Sequence, residues 1–225
     1  MSATSEVTVS RESVQVGGRT RTMTVVRHRQ PGPGTVPVVL VFHGSMQTAA
    51  AIRSFTANTF DHIGAQSGAV VAYLDGYKRH WNDARIVNSS AARSTNVDDV
   101  AFAEAAIDLL VCRFNGDSSQ VYAVGFSNGG QLVMRLIHEI PSGLAGAAIL
   151  SATQCVPENF APDSPKDLPC PSCLCTAPRT RSPRTRAEWP RCIGSGPEDS
   201  VCPRRRRPLI TRAATASPLH PPSRR

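Results

Sequence analysis

Five residues near the middle of the chain, Gly125-Phe126-Ser127-Asn128-Gly129, have the spacing that makes a serine a nucleophile. They follow a short β-favouring run, Val121-Tyr122-Ala123-Val124, and lead straight into an amphipathic segment. Gly-x-Ser-x-Gly between a strand and a helix is a sharp, strained turn. The bend is so tight that the positions two before and two after the serine must be small. The hydroxyl then stands clear of the backbone at the mouth of the following helix, where negative charge is favoured. The plainer reading is a Gly-rich turn of some other layered domain; the strand and helix on either side argue against it. The chemistry that fits is acyl transfer, in which Ser127 attacks a carbonyl carbon and is itself acylated.

Acyl transfer also needs donors for the oxyanion. The backbone N–H of Asn128, directly after the serine, is one. The other is expected from the loop after the first buried strand, His43-Gly44-Ser45-Met46. The Ser45 N–H is the first choice there and Met46 the reserve. His43 lies on this oxyanion side, which suits a structural histidine better than a general base. Trp81 either lines a substrate pocket or anchors its loop, since aromatics line pockets and cores alike. Asp98 and Asp99 read as first-turn residues of a helix rather than an acidic site. Cys170-x-x-Cys173-x-Cys175 lacks a second pair at zinc spacing, so no metal is expected.

These residues need a scaffold that brings loops together. Residues 7–9 and 21–27 alternate in a strand-like way around Gly17-Gly18, which predicts an antiparallel hairpin. Val36–Phe42 is a continuous apolar run, as expected of a strand buried on both faces. Residues 48–60 read as a helix and 68–74 as a second buried strand. Residues 77–95, with Trp81-Asn82-Asp83, have little periodicity and read as a loop over the catalytic face. Asn96 is expected to cap a helix over 97–113, with Val100, Ala103, Ala106, Ile107 and Leu110 as its apolar stripe. The helix after Ser127 runs to Ile140 and Pro141 stops it. Residues 145–150 are the next strand. This alternation predicts an α/β fold with a mostly parallel sheet, right-handed crossovers and helices on both faces. In such sheets chemistry sits at the carboxyl ends of the strands, and His43, Asp75, Ser127 and Ser151 all follow such ends.

The net charge of +8 is unevenly placed. Residues 1–155 carry 12 Lys and Arg against 11 Asp and Glu; residues 156–225 carry 13 against 6. Fourteen of the 18 prolines and five of the seven cysteines also lie beyond residue 155. The chain therefore divides into a core over 1–155 and a Pro/Arg/Cys-rich tail over 156–225, expected to be disordered or out of frame. The four arginines at 204–207 read as a solvated basic tail. No aromatic platform accompanies them, so no nucleic-acid partner is expected. The start has no basic stretch followed by an apolar core, so no signal peptide is expected, and nothing approaches a membrane span. Read as written, the chain is cytosolic. Its oligomeric state is left open.

Several stretches together resemble a family. These are Val39-Leu40-Val41-Phe42-His43-Gly44, Ala72-Tyr73-Leu74-Asp75-Gly76, Trp81-Asn82-Asp83, Val97-Asp98-Asp99-Val100-Ala101-Phe102, and Val121 to Gly130 around the serine. The combination is similar to the poly(3-hydroxybutyrate) depolymerase-type esterases, a group that includes feruloyl and acetylxylan esterases and LpqC-like proteins. The likeness covers about residues 5–155. It implies an α/β-hydrolase fold and a Ser-His-Asp triad. It also implies hydrolysis of small or polymeric esters without a cofactor, and usually export. Ser127 takes the place of the nucleophile, and the Ser45 and Asn128 amides that of the oxyanion donors. The family's acid follows a His-Gly-Thr-x-Asp-Pro motif and its histidine comes later; neither is present here. Read two bases late, however, the codons of residues 170–192 are compatible with PVLPVHGTEDPIAPYEGGMAPLH, which contains that motif. A change of frame between about Pro157 and Cys170 is therefore expected. As written, the alternative is a truncated, catalytically impaired relative.

Overall fold

The structure, a computed structural model, describes residues 6–161 and the backbone of Cys173–Thr176. Chain contacts separate residues 1–181 from residues 182–225, and the second unit lies outside the described residues. The first unit is a seven-stranded sheet in the order β1-β2-β4-β3-β5-β6-β7. Strands β1 (Val7–Val16) and β2 (Arg19–His28) form the hairpin, in register from Val7 opposite His28 to Val16 opposite Arg19. Gly17 and Gly18 close it with φ of 55° and 72°, angles that cost a glycine little. The strands are longer than the alternation alone suggests. β2 runs antiparallel to β4 (Val70–Leu74). From there β4, β3 (Val36–Phe42), β5 (Gly116–Phe126), β6 (Gly146–Leu150) and β7 (Cys173–Thr176) are all parallel.

The helices sort by the direction in which the chain steps. Between β3 and β4 the chain moves toward the hairpin, and α1 (Ala49–Phe55) and α2 (Thr59–Ser67) cover one face. Ala49 and Ile52 pack there on Val39, Val41 and Tyr73. The later steps move away from the hairpin. They lay α4 (Asp99–Phe114) and α5 (Asn128–Glu139) on the opposite face, against Val121, Ala123 and Ile149. One hand for the crossovers through these helices produces this division. It leaves β5 and β6 thinly covered on the α1 face among the described residues. Tyr122 is 41% exposed, and Phe55, Phe60, Phe126 and Leu150 border an apolar hollow of about 280 Å³.

Four sequence expectations change. The helix over 48–60 is two helices, because Ala57 and Asn58 adopt left-handed φ of 48° and 57°. Thr48 caps the first, its side chain accepting from the Ala51 N–H at 3.2 Å. The long helix is capped by Asp98, which accepts from the Ala101 N–H at 2.8 Å; Asn96, expected as the cap, instead turns the chain at φ 44°. Asp99 is no ordinary first-turn residue. It is fully buried and pairs with Arg21 of β2 at 2.6 Å. Burial, opposed by Arg21, holds its carboxyl above the usual range. The loop over 77–95 also contains a short helix, α3 (Ala91–Ser94).

Beyond residue 155, where no strand is expected, the chain keeps contact with the core. The Ile86 N–H donates to the Asn159 carbonyl at 2.9 Å and the Ala161 N–H to the Ala84 carbonyl at 2.7 Å. Phe160 packs edge-on against His138, ring centres 4.7 Å apart. β7 then adds to β6 in register, Ala147 beside Cys173. The side chains of the cysteine cluster at 170–175, and everything after residue 176, lie outside the described residues.

Candidate active site

The elbow has the geometry its sequence demands. β5 ends at Phe126 and α5 begins at Asn128, leaving Ser127 alone at φ 52°, ψ −114°, a conformation that non-glycine residues avoid. Its N–H donates to the Leu150 carbonyl at 2.9 Å and its carbonyl accepts the Gln131 N–H at 3.0 Å. The glycines are required by contact. A Cβ at Gly129 would strike the Phe42 carbonyl and lie 2.6 Å from the His43 carbonyl oxygen. One at Gly125 would lie 2.6 Å from the Gly130 nitrogen. The first turn of α5 is thus pressed onto the end of β3, which brings the serine and the His43–Met46 loop to the same edge of the sheet.

The two donors named from the sequence fare differently from their reserve. Asn128 is the first residue of α5, so its N–H has no acceptor within the helix. The Ser45 amide likewise makes no hydrogen bond among the described residues, and Ser45 is exposed. The Met46 amide is engaged, donating to the Arg79 carbonyl at 2.9 Å. Met46 sits at φ 62°, and its carbonyl is held by the Arg79 guanidinium.

His43 is completely buried and both ring nitrogens are occupied. The Gly76 N–H can only donate, so Nε2, 2.9 Å away, is an acceptor; Nδ1 then carries the proton and donates to the Gly44 carbonyl at 2.7 Å. Burial holds the ring below its ordinary pKa, which favours the neutral form this arrangement needs. The residue is a strut of the loop and has no free lone pair for a substrate or for Ser127. Asp75, also at a strand end, is likewise committed: it accepts the Ala49 N–H at 2.8 Å and pairs with Arg11 at 2.7 Å.

Trp81 anchors its loop. Its indole is fully buried, edge-on to Phe42 with ring centres 5.4 Å apart, and Nε1 donates to the His43 carbonyl at 2.8 Å. The pocket-lining alternative is therefore corrected: no face of the ring meets solvent. Replacing it with alanine would cost about 3–5 kcal/mol.

The residues after it were missed as site residues. Asp83 is completely buried and receives Asn88 Nδ2 at 3.0 Å, Arg85 through its backbone N–H at 2.9 Å and its guanidinium, and Asn128 Nδ2 at 2.5 Å. Asn128 Oδ1 accepts the Trp81 N–H at 2.9 Å. Asn82 donates its N–H to Asp99 at 2.7 Å. The signals in the sequence were that Trp81-Asn82-Asp83 sits in a loop over the catalytic face and is one of the stretches that carry the resemblance.

The comparisons agree with this architecture. No protein-family profile matches the chain. NocK, a presumed esterase of Nocardia uniformis subsp. tsuyamanensis, is 32% identical over 147 residues, covering 64% of this chain and 41% of NocK. The chain thus spans less than half the length of that relative. Among solved structures, native sOPH matches with a TM-score of 0.51 at 20% identity, over 64% of this chain and 51% of its own. Native pOPH matches with 0.51 at 17% identity, over 65% and 52%. This chain has an α/β-hydrolase fold. The strand order, the elbow after β5 and these matches agree on it, and at such identity the structures speak for the fold alone. Among the described residues no helix is long and apolar enough to cross a membrane, and no three His, Cys, Asp or Glu side chains gather as a metal site.

Proposed function

We propose that this chain carries the nucleophile half of a serine esterase. Ser127 attacks the carbonyl of a carboxylic ester, its alcohol leaves, and an acyl-enzyme remains for water to cleave. The Ser45 and Asn128 amides hold the oxyanion, and no cofactor is required. The observation that carries this reading is Ser127 itself, strained at φ 52° and set one residue before the N-terminus of α5. Likeness to NocK supports ester hydrolysis, and the stretches noted in the sequence favour the poly(3-hydroxybutyrate) depolymerase-type group. Polyhydroxyalkanoate, feruloyl, acetyl and short acyl esters are the substrates to try. The test is covalent labelling by a fluorophosphonate with peptide mapping. Modification at Ser127, and its loss in Ser127→Ala, is expected; labelling elsewhere or not at all removes Ser127 from the mechanism.

A second reading rests on the base. His43 is fully engaged through both ring nitrogens and offers Ser127 no lone pair. If the acid and base stand in another reading frame, entered between about Pro157 and Cys170, the chain as written labels slowly and turns over poorly, as triad-deficient serine hydrolases do. Resequencing the gene from the codon of Ser151 onward decides this. A frame change there gives a protein with its Asp and His; an intact frame leaves an impaired relative.

A further inference from the structure

We propose that Asp83 and Asn128 form a positioning pair that holds the elbow in its reactive geometry. The proposal rests on the reading of Ser127 as a nucleophile and deepens it.

Asn128 has two jobs in one residue. Its backbone N–H faces the oxyanion position, whereas its side chain points away from the reaction and is 2% exposed. That side chain has one possible orientation. The Trp81 N–H can only donate, so Oδ1 must face it; Nδ2 must then face the Asp83 carboxylate, which can only accept. The carboxylate is held in turn. Asp83 Oδ1 accepts the Arg85 N–H at 2.9 Å and Nε at 3.1 Å, while Oδ2 takes Asn88 Nδ2 at 3.0 Å and Arg85 Nη2. The Trp81–Asp83 segment is itself fixed elsewhere. The Trp81 indole holds the His43 carbonyl, and the Asn82 N–H holds the buried Asp99 at 2.7 Å. Arg135, further along α5, donates to the Asn82 carbonyl at 2.9 Å.

The consequence is mechanical. Ser127 lies in a strained conformation, and strain persists only where surroundings over-determine it. The residue on its far side is Asn128, the one residue of the elbow whose side chain is gripped at both ends. Rotation of the first turn of α5 would move the serine hydroxyl and the Asn128 amide together. The Asp83–Asn128 bond opposes that rotation from a rigid loop, so Asp83 serves the reaction without touching the substrate.

The hydrogen-bond pattern makes the test reversible. In Asp83→Asn the new amide must turn its NH2 either toward Arg85 N and Nε or toward Asn128 Nδ2, so donor meets donor in both orientations. In Asn128→Asp two carboxylates face each other. The double swap restores the match between positions 83 and 128, although Asn88 Nδ2 and Arg85 Nη2, which Oδ2 accepts in the parent, then meet the new NH2. The amide now at position 83 donates to the carboxylate now at position 128, and that carboxylate still accepts from the Trp81 N–H. The amide oxygen at position 83 still accepts from Arg85. The experiment is fluorophosphonate labelling of the full chain and the three variants, with the maximal labelling rate and the half-saturating concentration measured separately and a melt run on each. Misplaced groups lower the rate step, so each single substitution should slow maximal labelling by about 10- to 100-fold. The half-saturating concentration should stay within about threefold of the parent, and the swap should recover part of the rate, since only the 83–128 bond is restored. If Asp83→Asn labels at the parental rate, or if the folded swap is no faster than the single variants, the pair does not position the elbow. If slowing merely follows the fraction unfolded in the melts, the role is structural. Absence of labelling in the unaltered chain removes the nucleophile itself and the pair's role with it; labelling of the parent with equal labelling of all three variants removes the pair alone.

Discussion

Ser127 and Ser151 follow the carboxyl ends of the neighbouring strands β5 and β6, and both have φ of 52°. Around Ser127 the positions two before and two after are Gly125 and Gly129; around Ser151 they are Ile149 and Thr153. A helix starts directly after Ser127, whereas Ser151 is exposed and the next element among the described residues is the short turn at Pro157–Asn159. Left-handed backbone therefore marks a sharp exit from a strand and nothing more. Reactivity additionally needs a helix N-terminus at the hydroxyl and glycines that let the helix approach. The two turns even touch, since the Ser127 N–H donates to the carbonyl of Leu150.

The largest effect expected from this contrast is on labelling. Ser127→Ala should reduce fluorophosphonate incorporation by about 10³-fold or more. Ser151→Ala should leave it unchanged, and equal losses would erase the distinction between the turns. Next comes the approach of the helix. Gly129→Ala pushes a methyl into the Phe42 and His43 carbonyls and should cost about 3 kcal/mol in denaturant unfolding. Thr153→Ala, at the equivalent position after the exposed serine, should change stability by no more than about 0.5 kcal/mol.

Acid is a milder probe of the elbow side. His43 and His138 are both held below the usual histidine value of 6.5, each chiefly by burial. The unfolded chain therefore takes up protons that the folded chain refuses. Stability from these groups is complete above pH 6.5 and declines as pH falls below it. Unfolding midpoints measured from about pH 8 to about pH 5 should drop on the acid side, and less steeply in His43→Gln. A flat parental profile would contradict the burial of both rings. The smallest effects are the glycine substitutions. Ser127→Gly should relieve strain and stabilise by about 1–2 kcal/mol, Ser151→Gly by about 0.5–1 kcal/mol.

Much of the scaffold was legible because its strands are uniform in kind. Val36–Phe42 is apolar at every position, and only a strand buried on both faces needs that. Elements chosen by single backbone angles were not legible: nothing in residues 48–60 declares that Ala57 and Asn58 turn left-handed, and Asn96 and Asp98 are equally good caps on paper. The strand-to-helix turn at Ser127 and Asn128 could be placed because an elbow is a local motif. The grip on Asn128 could not, since it depends on Asp83, 45 residues earlier in the chain. The fate of Trp81 was open for the same reason: whether an indole meets solvent is decided by Phe42 and His43, not by its neighbours in sequence.

The one-handed crossovers carry a topological consequence. The steps from β4 to β5 and from β5 to β6 carry the chain in one direction along the sheet, and their return paths, α4 and α5, lie over one face. Lengthening any of those connections thickens that face alone. Tyr122, Val124 and Phe126 look the other way, a side reached among the described helices only by α1 and α2, which the chain lays down before β4; there Phe55 meets Phe126 with ring centres 5.2 Å apart.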